Sequence, residues 1–231
     1  LMADEVGSIP DLCVTITDDQ LTVTYPPGLR TFSSALWGGG LHRDVSLILN
    51  QRVGADYSSM EPVQDIVQRI REKGADPTRA IGLLTAANVA EAGIRVASGP
   101  EFCLCAIVTA GVGNAVRAGH APNRYSAYFA DTINTIVILD AKLTDAALIN
   151  AVITATEAKT AALQDAGLTD NAGSTVTGTT TDAVAIACTM SHTYRYTHQY
   201  AGSATEIGHA LATAVHHATL DAVYREKIRK G

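Results

Sequence analysis

Positive charge is scarce in this 231-residue chain: 17 Lys and Arg stand against 23 Asp and Glu, giving a formal net charge of −6 and a pI near 5.6. A protein that neutralises a phosphate backbone needs a basic footprint, so the composition argues against nucleic acid as a partner. Cysteine is sparse too. Cys13, Cys103, Cys105 and Cys188 are too few and too scattered for a disulfide framework, and the Cys-x-Cys pair lacks the spacing of a zinc knuckle. They read as reduced, buried thiols. No pair of histidines has metal-ligand spacing with a third ligand nearby, so no metal site is expected. No apolar run reaches the length of a membrane span, and the opening "LMADEVGSIPDL" carries acids where a secretory signal carries cations. The expectation is a cytoplasmic protein with no membrane association. Internal repeats, heptads and low-complexity tracts are missing, and "LTDNAGSTVTGTTTD" is the one stretch that approaches a flexible polar loop.

What remains is 47% hydrophobic and 17% charged, with mean hydropathy +0.12, which describes a single globular domain over residues 1–231 with a large core. "LCVTITDDQLTVTYP" alternates β-branched and polar residues around an acidic turn, the pattern of a β-hairpin at residues 12 to 25. "LRTFSSALWGGG" and "DVSLILNQRV" read as two further strands parted by a glycine turn. "EPVQDIVQRIREKG" spaces Val63, Ile66, Val67 and Ile70 helically, with Pro62 in the first turn and Gly74 at the stop. "RAIGLLTAAN", "EAGIRVASG", "FCLCAIVTAG" and "DTINTIVILD" are apolar runs of strand length. A long Ala-rich helix ending at Gly167 follows, then strand character in "STVTGTTTDAVAIACT", then a second long helix to the C-terminus. Hairpins followed by long helices predict an α+β fold: a mostly antiparallel or mixed β-sheet layered with long α-helices, not a doubly wound parallel one.

Glycine- or threonine-rich segments cluster at the predicted strand ends: "SSALWGGG", "TAGVGNAVRAG" and "TGTTTDAVA", with "TATEAKTAAL" in the Ala-rich helix. Each taken alone is explained by turns, close helix packing or strand preference. Together with "DTINTIVILDAKLTDAALINAVITATEAKTAAL" and "YAGSATEIGHALATAV", in this order, they resemble the adenosylcobinamide amidohydrolases, corrinoid-salvage enzymes of archaea and bacteria. The resemblance covers most of the chain. It implies hydrolysis of the amide joining aminopropanol to a propionyl side chain of the corrin ring, with adenosylcobyric acid as product. It also implies that the cobalt-containing corrinoid is the substrate and that no separate cofactor is required. Assembly as a homo-oligomer stays open.

That reaction directs attention to particular residues. A bulky, amide-fringed macrocycle calls for bare backbone, a flat aromatic contact and neutral hydrogen-bond groups, a role for Trp37 with Gly38, Gly39 and Gly40; a plain strand-to-strand turn is the alternative. His42 is a candidate general base if the turn swings it toward the cleft. Asn150, Thr154 and Glu157 lie at spacings of four and three on one helix face, with Lys159 off that face and read as solvated. Glu157 and Asp182 are the acid–base candidates, and Thr179, Thr181 and Ser34 the candidate nucleophiles, unless a water is activated directly. Asn114 and Arg117, where a glycine turn is expected to enter a short helix, suit an oxyanion or carboxylate; the spacing does not match a phosphate loop. His192 and His198 are outer-site candidates, while His209, His216 and His217 read as packing or surface residues. Two rivals to hydrolysis of the corrinoid amide are a non-hydrolytic corrinoid-binding protein and an autoprocessing amidase in which one of Thr177, Thr179, Thr180 or Thr181 becomes a new N-terminus.

Overall fold

The computed structural model describes residues 8–120 and 131–230. The predicted hairpin is present as β1 (Cys13–Ile16) and the start of β2 (Gln20–Ser33), which pairs next with β3 (Gly40–Arg52). Helix α1 (Pro62–Glu72) leads to β4 (Ala80–Thr85), then β5 (Gly93–Gly99), β6 (Phe102–Ala110) and the short β7 (Ala115–Val116). After β8 (Ile133–Asp140) come α2 (Asp145–Asp165), the short β9 (Gly178–Thr179), β10 (Ala183–Cys188) and α3 (Glu206–Lys230). The main sheet runs β4-β3-β2-β10-β8-β6-β5, with β1 beside β2, and β7 pairs with β9 separately. Two of its pairings, β3 with β4 and β8 with β10, are parallel and the others antiparallel, so the sheet is mixed, as expected. Among the described residues no helix is long and apolar enough to cross a membrane.

Strand β2 makes the sheet turn on itself. Its ladder to β3 is interrupted between Thr24 and Leu29, where Pro26 and Pro27 cannot donate to a neighbour and Gly28 takes φ +95°. Before this corner β2 pairs with β1 and β3; beyond it, Arg30 to Ser33 also pair with β10. The two halves of the sheet thereby share one core, in which Ile48 of β3 and Ile81 and Leu83 of β4 join Cys105 and Ile107 of β6 and Ile136 and Ile138 of β8. The alternate residues face outward onto helices. Leu47, Leu49 and Ala80 pack on Ile66 and Ile70 of α1, while Leu104, Ala106, Val137 and Leu139 pack on α2 and α3. Strands β6 and β8 are covered on both faces, which is why they read as unbroken apolar runs. The alanines of α2 and α3, among them Ala151, Ala155 and Ala214, let these helices approach the sheet and each other closely.

Two expectations are corrected. Cys103, Cys105 and Cys188 are buried, but Cys13, at the start of the hairpin, is exposed. Burial pushes the Cys188 thiol up to about 11. In the "WGGG" turn, expected to offer bare backbone to a ligand, Trp37 and Gly38 pack against the protein's own structure, while Gly39 and Gly40 are exposed. Trp37 exchanges backbone hydrogen bonds with Gly82 of β4, its indole Nε1 donates to the Pro77 carbonyl at 2.8 Å, and its ring packs beside the α1 core. Gly38 has φ +69° and sits so close to β4 that a Cβ would lie 2.5 Å from the Ala80 carbonyl oxygen. Gly40 also has positive φ but faces open space.

Gly38→Ala is therefore expected to cost about 2 kcal/mol or more, from a disfavoured conformation plus a backbone collision, and Gly40→Ala only about 1 kcal/mol. Urea unfolding of both variants measures the difference; equal losses would show that the approach to β4 does not constrain Gly38.

Candidate functional site

Where the two sheet halves part, the shared core opens into a pocket of about 530 Å³. Thr132 and Asn134 line it from the start of β8, Thr181 and Ala183 from the entry to β10, Ser34 from the end of β2 and Thr85 from the end of β4. The segment from Tyr57 to Pro62 leading into α1 completes the wall, and Met60 stands 84% exposed at its rim. Tyr57 is the one titratable side chain among the lining residues. Its hydroxyl donates to Asp65 at 2.6 Å, and burial, with that bond, raises its pKa. Hydrogen bonds from Ser59 and Tyr57 in turn hold the Asp65 carboxyl below its ordinary range. The rest of the polar lining consists of hydroxyls and a carboxamide.

Two of the hydroxyls predicted from sequence meet at this pocket. Ser34 Oγ accepts from the Val184 N–H at 3.0 Å, while its own hydrogen has no acceptor among the described residues. Thr181 sits across the entry to β10, and its carbonyl accepts from the Thr132 hydroxyl at 2.9 Å. Thr132, Thr85 and Asn134 were not expected. Asn134 carried a readable signal: it is the amide residue inside the apolar run "DTINTIVILD", and Asn50 in "DVSLILNQRV" has the same character.

Behind this wall lies a buried ion pair. Lys159 of α2 is 6% exposed and bonds Asp182 Oδ2, so the expectation of a solvated lysine fails. Its position explains this: Lys159 follows Ala155 by four residues and precedes Ala162 by three, which places it in the buried stripe of α2. The Asp182 carboxylate also accepts from the Thr179 hydroxyl, from the Thr179 N–H at 3.1 Å and from the Ile133 N–H at 3.1 Å. Gly178 leaves room for the pair, since a Cβ there would collide with Asp182 Oδ2 and lie 2.7 Å from Lys159 Nζ. With both oxygens engaged, Asp182 ties α2, β9 and the start of β8 together. It does not line the pocket, nor does Thr179.

Other sequence candidates fall elsewhere. Asn150 Oδ1 accepts from the Ala201 N–H at 2.9 Å, and Thr154 Oγ1 donates to the Ala201 carbonyl at 2.8 Å, so this face of α2 anchors the approach to α3. Glu157, further along, is exposed. Thr154 is buried against Ala201 while Glu157 is exposed, and none of the three lines the pocket. No short helix follows the glycines of "TAGVGNAVRAG"; β7 pairs with β9 instead. Asn114 Nδ2 donates to the Thr180 hydroxyl at 3.0 Å and Arg117 to the Thr175 carbonyl at 3.0 Å, so both brace the threonine turn. The Thr177 hydroxyl accepts from the Ala118 N–H at 2.8 Å. His42 reaches the Gly39 carbonyl at 3.3 Å and does not line the pocket. His198 is buried beside Phe102 and Tyr196, and His192 is exposed. His209 and His217 lie exposed on α3, and His216 bonds Asp165 at 2.7 Å. Among the described residues no three His, Cys, Asp or Glu side chains gather to hold a metal.

A family model described as adenosylcobinamide amidohydrolase matches residues 10–231. An adenosylcobinamide amidohydrolase of Methanosarcina mazei is 36% identical over 183 residues, 77% of this chain and 82% of that protein. An uncharacterized protein of Methanocaldococcus jannaschii is 31% identical over 163 residues, 62% of each chain. Among solved structures, a β-aminopeptidase of a Burkholderia species aligns over 95% of this chain and 86% of its own, with a TM-score of 0.46 and 15% identity.

The ion pair makes a sharp energetic prediction. Lys159→Met strands a buried carboxylate and is expected to destabilise the protein by about 3–5 kcal/mol, whereas Lys159→Met combined with Asp182→Asn costs much less than the two single changes added together. Denaturant unfolding of the four proteins gives the coupling; simple additivity would show that the two side chains do not act as a pair.

Proposed function

Because the chain belongs to the adenosylcobinamide amidohydrolase family, we propose that it hydrolyses the amide joining aminopropanol to a corrin propionyl side chain in adenosylcobinamide, giving adenosylcobyric acid and the free amino alcohol. The observation that carries this reading is the chemistry of the pocket. Apart from Tyr57, which is bonded to Asp65, its polar lining is made of neutral hydroxyls and a carboxamide, which suit a neutral amide better than a charged ligand. A corrin carrying an adenosyl group exceeds the pocket's volume of about 530 Å³. The amide-bearing arm therefore enters, and the macrocycle rests on the apolar rim offered by Met60 and Leu36. Ser34 supplies the nucleophile in this account. The Val184 N–H holds its oxygen, leaving the hydroxyl hydrogen free to depart as the oxygen attacks the carbonyl carbon. The amine nitrogen takes up that proton as the C–N bond breaks, and water then releases the acyl group as the carboxylic acid. Thr181 and Thr132 orient the arm. The cobalt enters as part of the substrate, and the reaction as proposed calls on no resident cofactor.

Incubation with adenosylcobinamide is expected to yield, by mass, a product lacking aminopropanol. Ser34→Ala should slow turnover at least about a hundredfold without loss of folding, and Thr181→Ala should raise KM. Glu157→Gln, on the exposed face of α2, should leave turnover within about twofold of wild type, the usual scale of a surface change. Tight corrinoid binding with no product would turn the reading toward a non-hydrolytic binding protein, and normal turnover in Ser34→Ala would remove that hydroxyl from the chemistry.

A further inference from the structure

Asn134 has an arrangement that packing alone does not explain. It lies on β8 at 2% exposure, and its Nδ2 donates to Asn50 Oδ1 at 2.9 Å and to the Leu84 carbonyl at 3.0 Å. Both amide hydrogens are therefore used. A backbone carbonyl can only accept, so the bond to Leu84 fixes which way the carboxamide is turned. Asn50 is fixed in turn, because its Oδ1 must accept from the Asn134 Nδ2, which leaves its own Nδ2 to donate to the Thr109 hydroxyl at 2.9 Å; both Asn50 and Thr109 are buried. This relay spans β6, β3 and β8 across the interior between the sheet halves. It ends at Asn134 Oδ1, which has no partner among the described residues and is not sealed within the core, because Asn134 lines the pocket. An acceptor whose orientation is fixed and whose free side opens on the pocket suits one kind of ligand atom, a polar hydrogen on a neutral group.

Building on the amide-hydrolase reading above, we infer that Asn134 Oδ1 accepts the N–H of the amide that is cut, so that this residue separates the amide substrate from the carboxylate product. The chemistry is directional. Before hydrolysis the substrate presents an N–H donor to Oδ1. Afterwards the amine leaves with its hydrogens, and the corrinoid retains a carboxylate, which only accepts and is repelled by a fixed acceptor. An ester of the same shape lacks the donor from the outset.

The test compares adenosylcobinamide with an oxygen-linked ester analogue of it, using the wild type, Asn134→Ala and Asn134→Ser. Both variants are expected to lower kcat/KM for the amide at least about tenfold while changing it for the ester by no more than about threefold, the difference one hydrogen bond makes. Inhibition by the corrinoid carboxylate product should tighten in the same variants. Equal losses for amide and ester would overturn the inference while leaving the hydrolase reading intact. Failure of the wild type to hydrolyse either compound would overturn both. If neither variant folds, the wild type still decides: its inhibition constant for the carboxylate product should exceed its KM for the amide at least about tenfold, and equal values would overturn the inference.

Discussion

The ion pair between Lys159 and Asp182 is the constraint on which the site's geometry depends. A lysine buried in the middle of α2 is tolerated only with a carboxylate beside it, and that carboxylate comes from the turn that opens β10. The remaining lone pairs of Asp182 are taken by Thr179 and by the Ile133 N–H at the head of β8. One charged group thus fixes the relative positions of a helix and two strand ends. Thr181, next to Asp182 in sequence, and Thr132 and Asn134, which flank Ile133, line the pocket and inherit those positions. In this account Asp182 works as a positioning residue, and the reacting groups are neutral.

A second constraint is the corner in β2. Two prolines and a glycine with positive φ break its ladder to β3, and the sheet closes over its own apolar face. Closure is complete in the middle, where Ile48 and Ile81 share a core with Ile107 and Ile136. At one end the facing residues become polar, with Asn50, Thr109 and Asn134 in place of aliphatic side chains. A core cannot close tightly over carboxamides without satisfying them, and the last of them borders the pocket instead. Trp37 and Gly38 pack against the edge of β4, which is why this part of the glycine-rich stretch is spent on backbone packing.

Much of the architecture was legible in the sequence because it rests on local pattern. The hairpin, the three described helices and the apolar strands follow from periodicities of two and 3.6 and from capping glycines, such as Gly167 with φ +65°. The family was legible as well, since its motifs recur in order. The site was only partly so. Ser34 and Thr181, candidates read from polar residues at strand ends, line the pocket, but helix spacing directed attention to Glu157, and spacing alone does not say which face of a helix meets the sheet. The alanine stripe held that information and placed Lys159 inside. Trp37 and its glycines invited a ligand-binding reading because a positive φ looks the same in sequence whether a ligand or a neighbouring strand requires it. Asn134 and Asn50 are 84 positions apart, and their contact depends on the sheet folding over, which no local pattern encodes.

On the proposed reaction, the pocket between the parted sheet halves receives the amide arm of the corrinoid. The most direct measurement is a crystal structure of Ser34→Ala soaked with adenosylcobinamide. The aminopropanol arm is expected to lie between residue 34, Thr132, Asn134 and Thr181, with the macrocycle against Met60. A corrinoid seated instead against Trp37 and the glycine turn, with this pocket holding only solvent, would contradict it.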